Sequence, residues 1–269
     1  MPKPFEKAVG VFLVFATLLA SLPQVIKLLK AKTSVGVAPI TLSLITIFGG
    51  SNVACSLVVK WPELRACASS ADCYFYILDV QQQVAASIVF SSLLLIVVSL
   101  PPHNTRPERA LALATVGFII LLAAISIVLS ATNYCGPAAL GFAHGVTVLS
   151  AFSAFSAYVP QLYDTWRTGG AGSLSPLFLM IQVAGCLLVN YNQIIANKDP
   201  PPVWLPTAVS GLMQAGVLSL VLYFRVRPRD DSAAMRLTST PALPLLANEE
   251  AARRPADGVA AAPDLTRVQ

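Results

Sequence analysis

Four uncharged amide side chains lie inside long apolar runs and are the residues best suited to bind a solute. They are Asn52, Gln82, Asn190 and Gln214. A polar side chain within a bilayer costs free energy unless it is paired or hydrated, so it marks a helix contact or a binding site. We expect the four amides to line a polar cavity near the middle of the membrane and to hydrogen-bond a hydroxylated or zwitterionic solute. The alternative for each of them is a hydrogen bond from its side-chain amide to a neighbouring helix.

Asp79 is the single carboxylate inside a predicted membrane span, which makes it our candidate for proton coupling. A solvated position at the membrane interface is the alternative. The sequence offers no nucleophile–base pair and no phosphate-binding loop, and its two histidines and five scattered cysteines form no metal-ligand motif. We therefore expect no enzyme activity, no metal and no cofactor.

The composition predicts a membrane protein. The chain has 269 residues, of which 55% are hydrophobic and 12% charged, with a mean hydropathy of +0.69. Soluble domains carry about 25% charged residues, and so little polar sequence cannot cover the surface of a compact soluble protein. The net charge of +5 is spread over short loops without interleaved aromatic residues, so we expect a lipid bilayer and no nucleic acid as partner.

The apolar runs predict an all-α protein with seven transmembrane helices. A bilayer core about 30 Å thick needs roughly 20 apolar residues for each helical crossing. The seven predicted spans are residues 8–29, 38–59, 74–99, 109–131, 138–163, 174–196 and 203–225. Apolar residues come in blocks and do not alternate, which argues against a membrane β-barrel. Residues 228–269 are rich in Ala, Pro and charged residues and predict a disordered tail.

The distribution of Lys and Arg predicts the orientation, because cations are retained on the cytosolic side. One side carries ten of them near the span ends: Lys27, Lys30, Lys32, Arg106, Arg109, Arg167, Arg225, Arg227, Arg229 and Arg236. The other side carries five: Lys3, Lys7, Lys60, Arg65 and Lys198. We therefore expect an N-terminus outside the cell or in a lumen and a cytosolic tail. Cys67, Cys73 and Cys135 would then lie where oxidation occurs, either as a Cys67–Cys73 loop or as free thiols.

An internal repeat organises the chain. Leu22-Pro23-Gln24-Val25 returns 137 residues later as Val159-Pro160-Gln161-Leu162, and at the same offset Pro39 falls on Pro176. Three crossings alone would turn the second copy upside down, and one additional helix between the copies restores the orientation. Both copies then face the same way, as in transporters built from parallel repeats. We expect a 3+1+3 arrangement, with domains at residues 1–100 (first repeat), 101–137 (linker helix), 138–227 (second repeat) and 228–269 (tail).

Pro-Gln at two equivalent helix positions, followed by basic residues, resembles the PQ-loop family. That family includes the SWEET sugar carriers, the lysosomal cystine and cationic amino-acid exporters, the KDEL receptors and the dolichol-phosphate-mannose utilisation factor. The stretch from Leu22 to Gly36 looks particularly like the last of these. The proton-coupled exporters have an acidic residue seven positions after the final serine of the motif, where this chain has Gln182, which argues against proton-driven export of the cystine type.

The Pro-Gln dipeptides are our candidates for hinges. Proline inside a helix removes a backbone hydrogen bond at a cost of about 3 kcal/mol. A kink repeated in two bundles at Pro23, Gln24, Pro160 and Gln161 could serve alternating access; a static kink is the alternative. The resemblance implies a carrier for a small polar solute, such as an amino acid or a sugar, in an endomembrane (lysosome, vacuole or endoplasmic reticulum). A non-transporting factor for dolichol-linked sugars and a sorting or ligand receptor are the other two interpretations, and a homo-oligomer is compatible with all three.

Overall fold

The computed structural model describes residues 4–34, 37–67, 74, 77–134, 136–168 and 176–226. This part of the chain is helical and contains no strand. The elements are α1 (Pro4–Ala31), α2 (Pro39–Val59), α3 (Trp61–Cys67), α4 (Leu78–Val97), α5 (Arg106–Asn133), α6 (Pro137–Thr168), α7 (Pro176–Tyr191), a π-helical turn (Asn192–Ala196) and α8 (Pro201–Val226). The predicted tail, residues 228–269, lies outside the described residues.

Proline and a side-chain cap explain where several helices begin. Pro39, Pro137 and Pro201 open α2, α6 and α8, which proline tolerates because the first turn of a helix needs no backbone N–H. At the start of α5 the Thr105 side chain accepts a hydrogen bond from the backbone N–H of Glu108, and its hydroxyl donates to Glu108 Oε2 at 2.8 Å. This pairing resembles a capping box, except that Glu108 accepts from the Thr105 hydroxyl and not from its backbone N–H.

Among the described residues, five helices are long and apolar enough to cross a membrane: α2, α4, α5, α6 and α8. Two further apolar stretches there, Gly10–Leu19 in α1 and Leu179–Ile195 in α7 and the π-helical turn, are shorter. The described part of the chain is thus all-helical, and the protein is a multi-pass membrane protein. The third predicted span began at residue 74, whereas α4 begins at Leu78 and the short helix α3 precedes it.

The helices pack as two groups of three joined along one seam. In the first group α4 packs against both α1 and α2, and in the second α8 packs against both α6 and α7. The seam is formed by α2 and α6, and α5 packs mainly on α2. Helix α2 is consequently surrounded by protein, which explains why Ser, Thr and Asn side chains along it are buried.

Apolar clusters distinguish the two ends of the helices. We call the end where α1, α4, α6 and α8 finish the basic end, and the opposite one the ion-pair end. At the basic end each group has a cluster of its own, one around Leu94 and Val97 of α4 and one around Val217 and Val221 of α8. At the ion-pair end a single cluster contains Ala54 of α2, Leu122 of α5 and Ala143 of α6. Among the described residues, the apolar core therefore crosses the seam only at the ion-pair end.

Candidate functional site

Asn52 lies on the seam between the two helix groups. Its side chain is buried, and the Ser150 hydroxyl of α6 lies 2.9 Å from Asn52 Oδ1 and 2.9 Å from the Phe48 carbonyl oxygen of α2. One hydroxyl proton serves both acceptors, so neither hydrogen bond is at full strength. Asn52, a predicted solute-binding residue, thus also joins α2 to α6 through a hydrogen bond.

One turn further along α2, small polar side chains link α2 to three other helices, α4, α6 and α8. The Cys55 sulfur lies 3.5 Å from Thr147 Oγ1 and 3.5 Å from the Pro202 carbonyl oxygen at the start of α8. The Ser56 hydroxyl donates to Gln83 Oε1 of α4 at 2.8 Å. The seam accordingly contains polar contacts at Asn52 and, nearer the ion-pair end, at Cys55, which also belongs to the apolar cluster around Ala54.

Gln83 was missed by the sequence analysis, which singled out Gln82. Gln82 is half-buried on α4, whereas the next residue, Gln83, accepts a hydrogen bond from Ser56 of α2. Three successive glutamines occupy positions 81 to 83, and helical periodicity alone does not tell which of them faces the neighbouring helix.

Gln214 anchors the polar centre of the second group. Its Nε2 donates to the Tyr158 hydroxyl of α6 at 2.7 Å and to Ser210 Oγ at 3.1 Å, and its Oε1 is buried without a hydrogen-bond partner. Tyr158 was missed by the sequence analysis, and its position two residues before the Pro-Gln dipeptide was the available signal. The arrangement offers one unpaired acceptor to a solute hydroxyl or ammonium group.

Asn190 and Gln193 lie where α7 passes into the π-helical turn. Asn190 Nδ2 donates to the Cys186 carbonyl oxygen of its own helix at 2.8 Å, and Asn190 Oδ1 is buried and unpartnered. Gln193 is fully buried, and neither amide atom has a hydrogen-bond partner. Single π-turns inside α-helices are frequent at functional sites, because the extra residue redirects side chains.

The predicted hinge residues are placed only in part. Pro160 lies inside α6, which continues to Thr168, and Gln161 beside it is half-buried. Pro23 and Gln24 lie within α1, but their side chains are outside the described residues. Their role as hinges remains a prediction.

Asp79 belongs to a buried ion triad, which we define as Lys60, Asp79 and Asp199. Lys60 caps α2, Asp79 lies in the first turn of α4, and Asp199 lies between the π-helical turn and α8. Lys60 Nζ contacts Asp79 Oδ2 and lies 3.0 Å from Asp199 Oδ1, and the three side chains are 6%, 2% and 8% exposed. Asp79 is therefore buried and paired, and the triad connects the two helix groups.

The neighbouring charges of the triad change the pKa of Lys60 and that of Asp199. Burial alone would lower the pKa of Lys60, but Asp79 and Asp199 together raise it above its ordinary value of 10.5. Burial raises the pKa of Asp199, Lys60 opposes that change, and the negative charge of Asp79 adds to it. Desolvation penalises every charged form, and only an opposite charge nearby offsets it.

A comparison with protein-family models identifies the stretch that contains Tyr158, Pro160 and Asn190. The model described as the PQ loop repeat matches residues 142–203. The chain carries a PQ-loop repeat. The predicted resemblance to the PQ-loop family is thereby confirmed. Searches of the curated proteins and of the solved structures give no significant match.

The PQ-loop repeat contributes only part of the site. Tyr158, Asn190, Gln193 and Asp199 lie within the matched residues, whereas the partners of Asp199 come from the first helix group. Within the described ranges, no three His, Cys, Asp or Glu side chains come together as metal ligands would. The chemistry on view is hydrogen bonding by amides and hydroxyls, together with one ion cluster.

The described cysteines include two free thiols within long helices and one disulfide-bonded cysteine at the ion-pair end. Cys55 and Cys186 are free, and Cys67 at the end of α3 is disulfide-bonded. Cys73 and Cys135 are outside the described residues, so the predicted Cys67–Cys73 loop stays a prediction.

Proposed function

We propose that the chain is a carrier that moves a small polar solute across a membrane by alternating access. In this proposal α1, α2 and α4 form the first bundle, α6, α7 and α8 form the second, and α5 joins them. The seven helices then make the 3+1+3 arrangement of two parallel repeats expected from the Pro-Gln spacing. No catalysis is part of the proposal.

The division of the apolar core at the basic end is the observation that carries the proposal. Each bundle has its own cluster there, around Val97 and around Val221, whereas the cluster at the opposite end crosses the seam. Two bundles that share a core at one end and are separate at the other fit a conformation that is closed at the ion-pair end. Rocking of the bundles as rigid bodies would part that end and close the basic end. The polar contacts of the seam support the same motion, because parting it exposes hydrogen-bonding groups and not only apolar surface.

Unpaired amide oxygens in the second bundle support a solute site. Asn190 Oδ1 and Gln214 Oε1 are both buried without a hydrogen-bond partner. An unsatisfied buried acceptor costs about 1–3 kcal/mol, and a solute donor would recover that free energy. We propose that these two amides, with Asn52 and Gln82, contact the solute, and that Pro23-Gln24 and Pro160-Gln161 allow the helices to bend.

The orientation follows from the basic end. Lys30, Lys32, Arg106, Arg109 and Arg225 all lie on helix ends or links there. We propose that this end faces the cytosol, that the N-terminus lies on the opposite side, and that the membrane belongs to an endomembrane compartment. Cys67, at the ion-pair end, is disulfide-bonded, which agrees with an oxidising environment on that side.

Counterflow into proteoliposomes tests the proposal. Proteoliposomes that contain the purified protein are loaded with one unlabelled amino acid or sugar at a time from a panel. They should take up the matching labelled solute by exchange. Gln214→Leu should lower the exchange by about tenfold, which corresponds to roughly 1.4 kcal/mol for one lost hydrogen bond. Ser219→Ala is the matched control, because that exposed hydroxyl bonds only to the Ala215 carbonyl of its own helix. Absence of exchange with every solute of the panel would contradict a carrier of amino acids or sugars.

A further inference from the structure

The ion triad carries one more negative than positive charge when all three groups are ionised. Lys60 supplies one positive charge against the carboxylates of Asp79 and Asp199, and all three side chains are less than a tenth exposed. Asp79 Oδ1 and Asp199 Oδ2 are buried and accept no hydrogen bond. Two carboxylates that share one ammonium group in a dry site cannot both stay charged without a cost in free energy.

No other described charge offsets this excess. Along the same end of the molecule, Glu63 and Arg65 of α3 and Lys198 of the link are exposed to solvent, where water screens them. The elements packed against the triad otherwise present Asn197, Gln193 and the apolar start of α8. The Asn197 side chain hydrogen-bonds to Asp199 and lowers its pKa, but burial and the charge of Asp79 outweigh this effect. The Asp199 backbone N–H donates to the Gln193 carbonyl oxygen at 2.8 Å, and Asp199 Oδ2 is buried without a hydrogen-bond partner.

We propose that the ion triad is a proton-binding site whose occupancy holds the ion-pair end closed. Uptake of one proton converts the Asp199 carboxylate to the neutral acid and takes the triad from a charge of −1 to zero. Lys60 and Asp79 then remain as a balanced pair. The inference rests on the proposed carrier for its role in transport, but the site itself is testable without any solute.

The sign of the effect follows from linkage. Burial raises the pKa of Asp199 in the closed arrangement, whereas a separated, hydrated Asp199 would titrate near its ordinary value. Protons bind more tightly to the state with the higher pKa, so acid on this side favours the closed state and proton release favours opening. A carrier with this device would close towards an acidic compartment.

Neutralising either carboxylate should imitate proton binding. Asp199→Asn and Asp79→Asn each leave Lys60 with one carboxylate, so both variants should unfold at a higher temperature than the parent protein at about pH 8. The parent should gain thermal stability as the pH falls from about 8 towards 3.8, the ordinary pKa of the Asp199 carboxyl, and both variants should lose most of that dependence. Lys198→Gln is the control, because it removes an exposed charge from the same end and should change neither quantity.

Cys55 provides a local measure of opening. Its sulfur is covered by the Pro202 carbonyl oxygen, three residues after Asp199, so separation of this link from α2 should expose it. At one fixed pH near 8, maleimide labelling of Cys55, read by peptide mass spectrometry, should be about tenfold slower in Asp199→Asn than in the parent for each unit of pKa difference between the two states. Cys186 is the internal reference. It is a free thiol on α7, where this helix packs on α8 within the second bundle.

The outcomes separate the two proposals. Unfolding temperatures of the parent protein that do not change between these pH values, or variants that label faster at Cys55, would overturn the proton site. Solute exchange could still be found in that case, and the carrier would stand. Conversely, pH-dependent labelling without exchange of any solute would keep the proton site and remove the carrier.

Discussion

At the scale of the residue, the close approach of α2 and α5 depends on a missing side chain. A Cβ atom built on Gly50 would lie 2.4 Å from Ile119 Cγ2 and 2.5 Å from Ile119 Cβ, which is well inside contact distance. Glycine at this position lets the two backbones pack closely, as small residues do at membrane helix interfaces.

Gly50→Ala should therefore lower the free energy of unfolding by about 1–3 kcal/mol, the usual cost of overpacking a core. Gly117→Ala on α5 is the control, because nothing lies within 4 Å of its Cβ position. That change should be neutral or stabilise the helix by about 0.5–1 kcal/mol. Thermal unfolding in detergent measures both, and equal unfolding temperatures for the two variants would rule out the proposed contact as a determinant of stability.

At the scale of the element, α6 combines a structural and a proposed mechanical role. It packs against α2 across the seam and against α8 within its own bundle, and Pro160 interrupts its backbone hydrogen bonding near the basic end. Pro160 lies after the contact with α2 at Ser150 but between two contacts with α8, at Tyr158 and at Trp166. A bend at Pro160 would therefore move the end of α6 together with α8 relative to α2.

Pro160→Ala should slow solute exchange severalfold while the unfolding temperature stays the same or rises, since alanine restores a helical hydrogen bond. Pro137→Ala is the matched control in the same helix, because proline in the first turn blocks no interior hydrogen bond. If the two variants exchange solute at the same rate, the kink is static and the hinge is wrong.

At the scale of the whole molecule, the ion triad joins parts of the chain that are far apart in sequence. Lys60 ends α2, and its two partners begin α4 and precede α8. Loss of the ammonium group would leave two buried carboxylates without a counter-charge. Removing one partner of a buried ion pair typically costs about 3–5 kcal/mol of stability.

Lys60→Met should consequently destabilise the protein far more than Lys30→Met, which removes an exposed lysine from the basic end. The pH dependence has a definite sign. The pKa of Lys60 is raised above 10.5 in the folded state, so its contribution is fully present below that value and is lost as the pH rises through the folded pKa. Unfolding temperatures between about pH 9 and about pH 12 should show this loss in the parent and not in Lys60→Met. A parallel decline in both proteins would contradict the assignment.

The sequence alone determined the features that depend on composition and local spacing. Blocks of apolar residues specified membrane-spanning helices, and the spacing of the Pro-Gln dipeptides identified the repeat that the family model matches at residues 142–203. These properties are local, because the bilayer fixes how many apolar residues a helix needs.

Only the tertiary structure decided which polar residues meet. It paired Asp79 with Lys60, chose Gln83 over Gln82 as the partner of α2, and brought Tyr158 to Gln214. Helical periodicity gives the direction of a side chain to within a broad sector, whereas a partner on another helix depends on the crossing and axial register of both. Those quantities are set by packing across the whole bundle, as in the contact of Gly50 with Ile119, and no single segment encodes them.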